Sequence, residues 1–537
     1  MNIKEIGSYY TPDFLAKFII NFVKESLNTS GSLSILEPSV GDGAFLKAFL
    51  ENNFGNSSDI KFTSIELNDP ELTKAKNIFN FYSQGKNLSN FQFFNQDFLD
   101  WQKDCNDRFN LIIGNPPYIK SNLLTSEQIS NSHLIFTSAG LNEKFFKNIW
   151  SSFLIRCTQL LTENGILAFV LPAEFLQVNF SKQIRKFLKS QFDRIEVFTF
   201  NQLMFESTGQ DTIILFGYRE SQKQKGIYFS NVSDISQLEE QSFFLNENVA
   251  LSNSETKWTH HILSSDEISF LYNLYNSVNK IKDFCSSKPG VVTAANDFFI
   301  VSEKVENFYN LNHFTEPIIQ KGAFVNGSVI FSGEDYATLV KSGKPSKFLR
   351  LSEDSISSFP PSVIEYLSLG LNKKIHTRHK CGKRKVWFIV PNIVPPGHGL
   401  FFKRCHSYPK LLVNEANILV TDAAYNVYMK DNFNIESLVF SFYNSLTLTF
   451  AELFGRYYGG GVLELTPNEF RDLPLPYNSI SLSAFKQFSD DFKLKHSIFD
   501  VTSLNDFSIF KNSLKIDSET ILKINEIKSK LILKRLR

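Results

Sequence analysis

Cysteine and methionine are scarce in this chain, with 5 Cys and 3 Met in 537 residues. No two cysteines form a Cys-x-x-Cys pair, which argues against a disulfide framework and against ribbon-type zinc sites. No apolar run approaches the roughly 20 residues of a membrane span. The start, Met1-Asn2-Ile3-Lys4-Glu5, lacks the apolar stretch of a secretory signal, so a cytoplasmic protein with no membrane partner is expected. Excess charge is missing too: 56 basic residues face 55 acidic ones, for a net +1. Acid is absent locally, however. Between Tyr366 and Asn414 there is no Asp or Glu, yet the window holds Lys373, Lys374, Arg378, Lys380, Lys383, Arg384, Lys385, Lys403, Arg404 and Lys410, interleaved with Trp387, Phe388, Phe401 and Phe402. Lysine and arginine replace the counterions condensed on phosphates, so a basic stretch with aromatics is the footprint of a nucleic-acid surface. A solvated basic face is the plainer alternative, although so long a face is usually of mixed sign. His376, His379, Cys381, Cys405 and His406 match no standard ligand spacing, and no metal is expected.

Hydrophobic content of 42% and charged content of 21% are globular values, and the length calls for two or three domains. The most informative tetrapeptide is Asn115-Pro116-Pro117-Tyr118, after the buried-strand pattern Leu111-Ile112-Ile113-Gly114. By composition alone it should occur in about one in a thousand chains of this length. Two prolines fix φ and hold the preceding Asn extended at the strand's end. An amide oxygen and nearby carbonyls can then accept from one planar NH2 group, while the tyrosine offers a face to a flat ring. A turn with a capping Asn would use the same residues.

Upstream, Ser34-Ile35-Leu36 leads through Glu37-Pro38-Ser39-Val40-Gly41-Asp42-Gly43 into the helical pattern Ala44 to Leu50. Strand, glycine turn and helix start form the nucleotide-binding corner of a doubly wound sheet. A second strand, Phe62 to Ile65, ends in Glu66, about 20 residues past that turn, where an acid binds a ribose hydroxyl pair. A third, Phe91 to Phe94, ends near Asp97-Phe98. Each acid alone reads as a cap; their succession at consecutive strand ends does not.

Strand and helix alternate to about residue 220, which implies a mostly parallel sheet covered on both faces. Ile166 to Pro172 is another buried strand, and Ile195 to Phe200 with Asp211 to Phe216 form a last, hairpin-like edge pair. The polar segment from Ser221 to Glu255 reads as a linker. Beyond it the pattern is irregular, and residues 480 to 537 are helical, ending in a basic support helix from Lys528.

In order and content, Tyr9-Tyr10-Thr11-Pro12, Glu37 to Phe45, Ile65-Glu66-Leu67-Asn68, Asn95-Gln96-Asp97-Phe98-Leu99 and the Asn-Pro-Pro-Tyr loop resemble the gamma class of S-adenosylmethionine-dependent DNA adenine-N6 methyltransferases of type II restriction-modification systems. The resemblance implies a Rossmann-like α/β catalytic domain over residues 1–240 and an α+β target-recognition domain over 241–537. Pro289 to Phe299, Lys383 to Phe388 and Tyr457 to Pro476 resemble the latter. It further implies S-adenosyl-L-methionine as cofactor, double-stranded DNA as partner, and a cognate restriction endonuclease encoded separately. Carried over residue by residue, it places Thr11, Glu37, Ser39 and Gly41 near the methionine moiety, Glu66 on the ribose, Asp97 and Phe98 at the adenine with Pro117 over its ring. The resemblance also implies that Asn115 and Pro116 accept the target amine, with Asn115 at the cofactor as well, and that Tyr118 and Phe205 hold the flipped base. Lys383, Arg384 and Lys385 are the DNA-binding candidates.

Rival readings use the same loop. Methylation of protein glutamine, of RNA adenine and of cytosine-N4 all present a planar amine. The glutamine enzymes resemble a catalytic domain with a small helical amino-terminal part, whereas roughly 300 residues follow the catalytic domain here. A DNA-binding module without activity has no need of the cofactor acids, and no nuclease constellation is evident.

Overall fold

The structure is a computed structural model that describes residues 10–536 apart from 28–30, 53–59, 85–87, 202–210, 250, 252–256, 326, 354–358, 459, 511–513 and 515. The chain divides into two compact units, one ending at Ile268 and the next running from Ser269 to Leu536.

In the first unit, helix α1 (Asp13–Lys24) precedes β1 (Leu33–Glu37), α2 (Ala44–Glu51), β2 (Ile60–Glu66), α3 (Asp69–Tyr82), β3 (Phe91–Asn95), α4 (Phe98–Trp101) and β4 (Phe109–Gly114). Then come α5 (Ser126–Ser138), α6 (Trp150–Gln159), β5 (Leu161–Pro172), α7 (Lys182–Gln191), β6 (Arg194–Phe200), β7 (Thr212–Tyr218), β8 (Gly226–Val232) and a short β9 (Asn246–Glu247). The sheet runs β3-β2-β1-β4-β5-β7-β6-β8-β9. Neighbours from β3 to β5 are parallel. Both faces are buried, which is why these strands read as continuous apolar runs. Along β5, Ile166, Ala168 and Val170 enter the core under α1 and α2, while Leu167, Phe169 and Leu171 enter the opposite core with Trp150 and Phe153 of α6.

Two expectations change at the far side of this sheet. β6 and β7 do pair antiparallel, but β7 inserts between β5 and β6, antiparallel to both, and the edge lies further out. The segment expected as a linker contains β8, parallel to β6, with Ile227 and Phe229 buried beside Trp258. Averaged over a polar stretch, its four-residue core Ile227-Tyr228-Phe229-Ser230 is invisible; burial against β6 is what makes it a strand.

The second unit is α+β. Cys285–Pro289, Ala424–Met429, Gly399–Phe402 and Lys410–Val413 form an antiparallel sheet in that order. The unit also holds a second four-stranded sheet and a three-stranded one, and helices 435–442, 445–454, 482–494, 498–509 and 518–536 follow in the chain. The last helix packs against helix 445–454, as a support helix would. Arg535 is buried and donates to both oxygens of buried Glu452 at 2.8 Å, and Lys528 is buried with its ammonium donating to Ser445 Oγ at 2.8 Å.

Candidate active site

Strand order reverses between β1 and β4, and an open α/β sheet binds ligands at the carboxyl ends around such a switch point. A cavity of about 420 Å³ lies there. Its wall comes from the turns after four strands: Pro38 to Asp42 after β1, Glu66 to Asn68 after β2, Gln96 to Phe98 after β3, and Asn115 and Pro117 after β4. The turn after β1 holds Gly41 at φ 54° and Gly43 at φ 93°, a region costly for other residues. Space above Gly41 is open among the described residues, since an added Cβ would meet none of their atoms within 4 Å. Gly43 serves packing instead, because a Cβ there would come within 3.1 Å of the Ala75 backbone of α3.

Glu66 is fixed from both sides. The Gly41 amide donates to Oε2 and the Asn68 amide to Oε1, each at 2.9 Å. Burial raises its pKa, and these amides work against that rise by favouring the charged form. Glu37, at the end of β1, is fully buried, and neither carboxylate oxygen accepts a hydrogen bond from the described residues. Burial first, then the charges of Asp42 and Glu66, push its pKa well above the usual carboxyl range. Asp42 is pushed up as well, mainly by burial. The turn is therefore rich in acid.

Asp97 caps α4, accepting from the Leu99 amide at 2.8 Å, and its second oxygen accepts from Gln128 Nε2 at 2.8 Å. Asn115 Nδ2 donates to Thr11 Oγ1 at 3.3 Å, and Ser39 Oγ donates to the Asn115 carbonyl at 3.2 Å, so the proline loop is tied to both the amino-terminal motif and the glycine turn.

Of the residues expected from sequence, Thr11, Ser39, Gly41, Glu66, Asp97, Phe98, Asn115 and Pro117 all line this cavity. Glu37 lies buried outside its lining, and Pro116 is buried. Tyr118 is half-buried against the core of α6, and its hydroxyl donates to the Val170 carbonyl at 3.2 Å. Phe205 lies outside the described residues. Tyr10, Gln128 and Phe153 also line the cavity and were not expected. Tyr10 was legible in the quoted motif, whereas α5 and α6 reach the pocket only through the fold.

The basic window is less uniform than its sequence. Phe401 and Phe402 are buried, and Trp387 and Phe388 pack in the core around Phe298, so these aromatics are interior. Arg384 also turns inward: its guanidinium donates to the carbonyls of Thr293 at 2.7 Å and Trp387 at 3.2 Å and lies over the Phe299 ring. Arg378 forms a bidentate pair with Asp297. Lys373, Lys374, Lys380, Lys383 and Lys385 remain exposed.

The sequence profile of N-6 DNA methylases matches residues 1–301. The chain belongs to the N-6 DNA methylase family. A second profile, the C-terminal domain of the type II methyltransferase M.Eco57I, matches residues 255–510 of this methylase. Type II methyltransferase M.AccI of Acinetobacter calcoaceticus is 24% identical over 489 residues, 87% of this chain and 84% of that one. M.BanIII of Aneurinibacillus aneurinilyticus is 24% identical over 349 residues, so the chain spans only 58% of its length. Among solved structures, the type IIL restriction-modification enzyme MmeI in complex with DNA superposes with a TM-score of 0.59 at 12% identity, covering 97% of this chain and 75% of that one. The methylase is thus placed among the DNA methyltransferases of type II restriction-modification systems, a family dependent on S-adenosylmethionine. None of the described helices is long and apolar enough to cross a membrane.

Proposed function

We propose that the first unit transfers a methyl group from S-adenosyl-L-methionine to N6 of an adenine extruded from duplex DNA, and that the second unit selects the sequence. The observation that carries this reading is the meeting of the acid-lined pocket and the Asn-Pro-Pro loop at one switch point, tied by the Asn115 to Thr11 hydrogen bond. The residues fit the cofactor. Fixed carboxylate Glu66 suits a ribose diol, and the space over Gly41, open among the described residues, admits a close ligand. Bound there, the cofactor supplies an electrophilic methyl group on a sulfonium.

The rest is done by the chain. A base inside a duplex cannot reach the pocket, so it must leave the stack at a cost of a few kcal/mol. Asn115 Oδ1 and the Pro116 carbonyl accept the two N6 hydrogens, which turns the nitrogen lone pair toward the methyl group. The Tyr118 ring offers a stacking face. No general base is required, because the methylated ammonium is acidic enough to lose its proton to water. Positioning and electrostatic stabilisation account for the rate. Lys383 and Lys385 meet phosphates, while Arg384 holds its own loop.

We place the cognate restriction endonuclease on a separate polypeptide. M.AccI, matched over 84% of its length, is a type II methyltransferase, whereas RM.Eco57I of Escherichia coli, a type II restriction enzyme and methyltransferase, is matched over 20% of its own. Asn115→Ala tests the chemistry: single-turnover methylation of duplex DNA should fall by at least about two orders of magnitude, with the dissociation constant of the cofactor changed by no more than about threefold. Unchanged single-turnover rates would refute the reading. Sequencing the DNA of an expressing strain with modification-sensitive reads reports the base and its sequence context.

A further inference from the structure

One pocket-lining side chain has no part in the chemistry above. Gln128 is the third residue of α5, the helix that follows the Asn-Pro-Pro-Tyr loop, and it is held at both ends. Its Oε1 accepts from the Thr125 amide at 3.1 Å, closing a capping box, while its Nε2 donates to Asp97 Oδ2 at 2.8 Å. Asp97 Oδ1 accepts from the Leu99 amide at 2.8 Å. The carboxylate is therefore clamped by donors from two first turns, those of α4 and α5. A capping box removes the rotamer freedom that would let a glutamine swing away. A carboxylate hydrogen-bonded at both oxygens is held in one orientation.

We infer that Gln128 is a positioning residue for the cofactor: it fixes Asp97 as the acceptor for the exocyclic amine of the purine, and it ties the nucleoside half of the pocket to the helix behind the target-base loop. The inference rests on the reading of this cavity as the S-adenosylmethionine site. It carries a selectivity consequence. An oriented acceptor favours a 6-amino purine and repels a 6-oxo purine, so loosening the clamp should blur that choice.

Titration calorimetry of the full-length protein with S-adenosylhomocysteine and S-inosylhomocysteine tests this. Gln128→Ala should weaken S-adenosylhomocysteine binding by about five- to tenfold, as expected for loss of one charge-assisted contact made through a second residue, and narrow the preference for the amino purine. Thr125→Ala removes the other half of the capping box but leaves the contact to Asp97, and should stay within about twofold of wild type on both ligands. In an Asp97→Ala background, Gln128→Ala should add nothing. Equal losses in Thr125→Ala and Gln128→Ala, or an undiminished Gln128→Ala effect in the Asp97→Ala background, would show that Gln128 only stabilises α5 and overturn the inference. Wild-type affinity in Asp97→Ala alone is a different result, which removes the cofactor reading itself.

Discussion

Replacing Glu66 by alanine separates a cofactor site from a structural turn. Both Glu66 oxygens are engaged by backbone amides, from Gly41 and Asn68 at 2.9 Å each. The side chain lines an open cavity, so the two amides it leaves behind can be rehydrated; thermal stability should fall by only about 1 kcal/mol. A ligand diol donating to the carboxylate is worth more, about 1.5 to 3 kcal/mol for a bond to a charged group, which is a loss of about 10- to 150-fold in affinity. Calorimetry with S-adenosylhomocysteine and with its 2′- and 3′-deoxy analogues isolates the contact. Each deoxy ligand keeps one hydroxyl, so Glu66→Ala should weaken it less than it weakens S-adenosylhomocysteine, because part of the contact is already gone. The pH dependence has a defined sign. Burial holds the ligand-free carboxyl above its ordinary range, and a ligand that donates to the charged form draws it down, so binding releases a proton and affinity rises with pH until Glu66 is fully ionised. Without ligand the same raised value makes this group's contribution to stability greatest in acid and lost as the pH rises through the folded-state pKa. Affinity within twofold of wild type in Glu66→Ala would refute the ribose assignment.

Tyr118→Phe removes the hydroxyl that donates to the Val170 carbonyl and should cost about 1 kcal/mol in chemical denaturation while keeping most single-turnover activity, since the stacking ring survives. Lys383→Glu with Lys385→Glu should weaken DNA binding and flatten the salt dependence by about two units of slope, measured by fluorescence anisotropy. Arg384→Ala should instead lower thermal stability, because it strands the carbonyls of Thr293 and Trp387. Lys528, buried and pushed down to about 8, deprotonates in the folded chain before it does in the unfolded one. Between about pH 8 and 10.4 the unfolded state holds more protons, so wild-type stability relative to Lys528→Met should rise with pH, by up to about 3 kcal/mol.

The strands of the first unit and most of the residues that line its pocket were legible because their signals are local. A buried strand ending in a glycine or proline turn writes itself into a few consecutive residues, and the order of Glu37, Glu66, Asp97 and Asn115 follows the order of the strands that carry them. By itself the sequence determined the α/β class, the pocket's acids and the proline loop. It did not determine β7's insertion between β5 and β6, or β8 inside a polar stretch, because strand pairing is a contest between distant segments that no local composition records. It also misjudged direction: Arg384, Trp387 and Phe402 read as a basic aromatic surface and fold inward, since whether a side chain meets solvent depends on what packs over it. Gln128 shows the same limit from the other side. Its capping box is local, but the Asp97 it grips is 31 residues away in the chain, and only the tertiary fold brings the amide to the carboxylate.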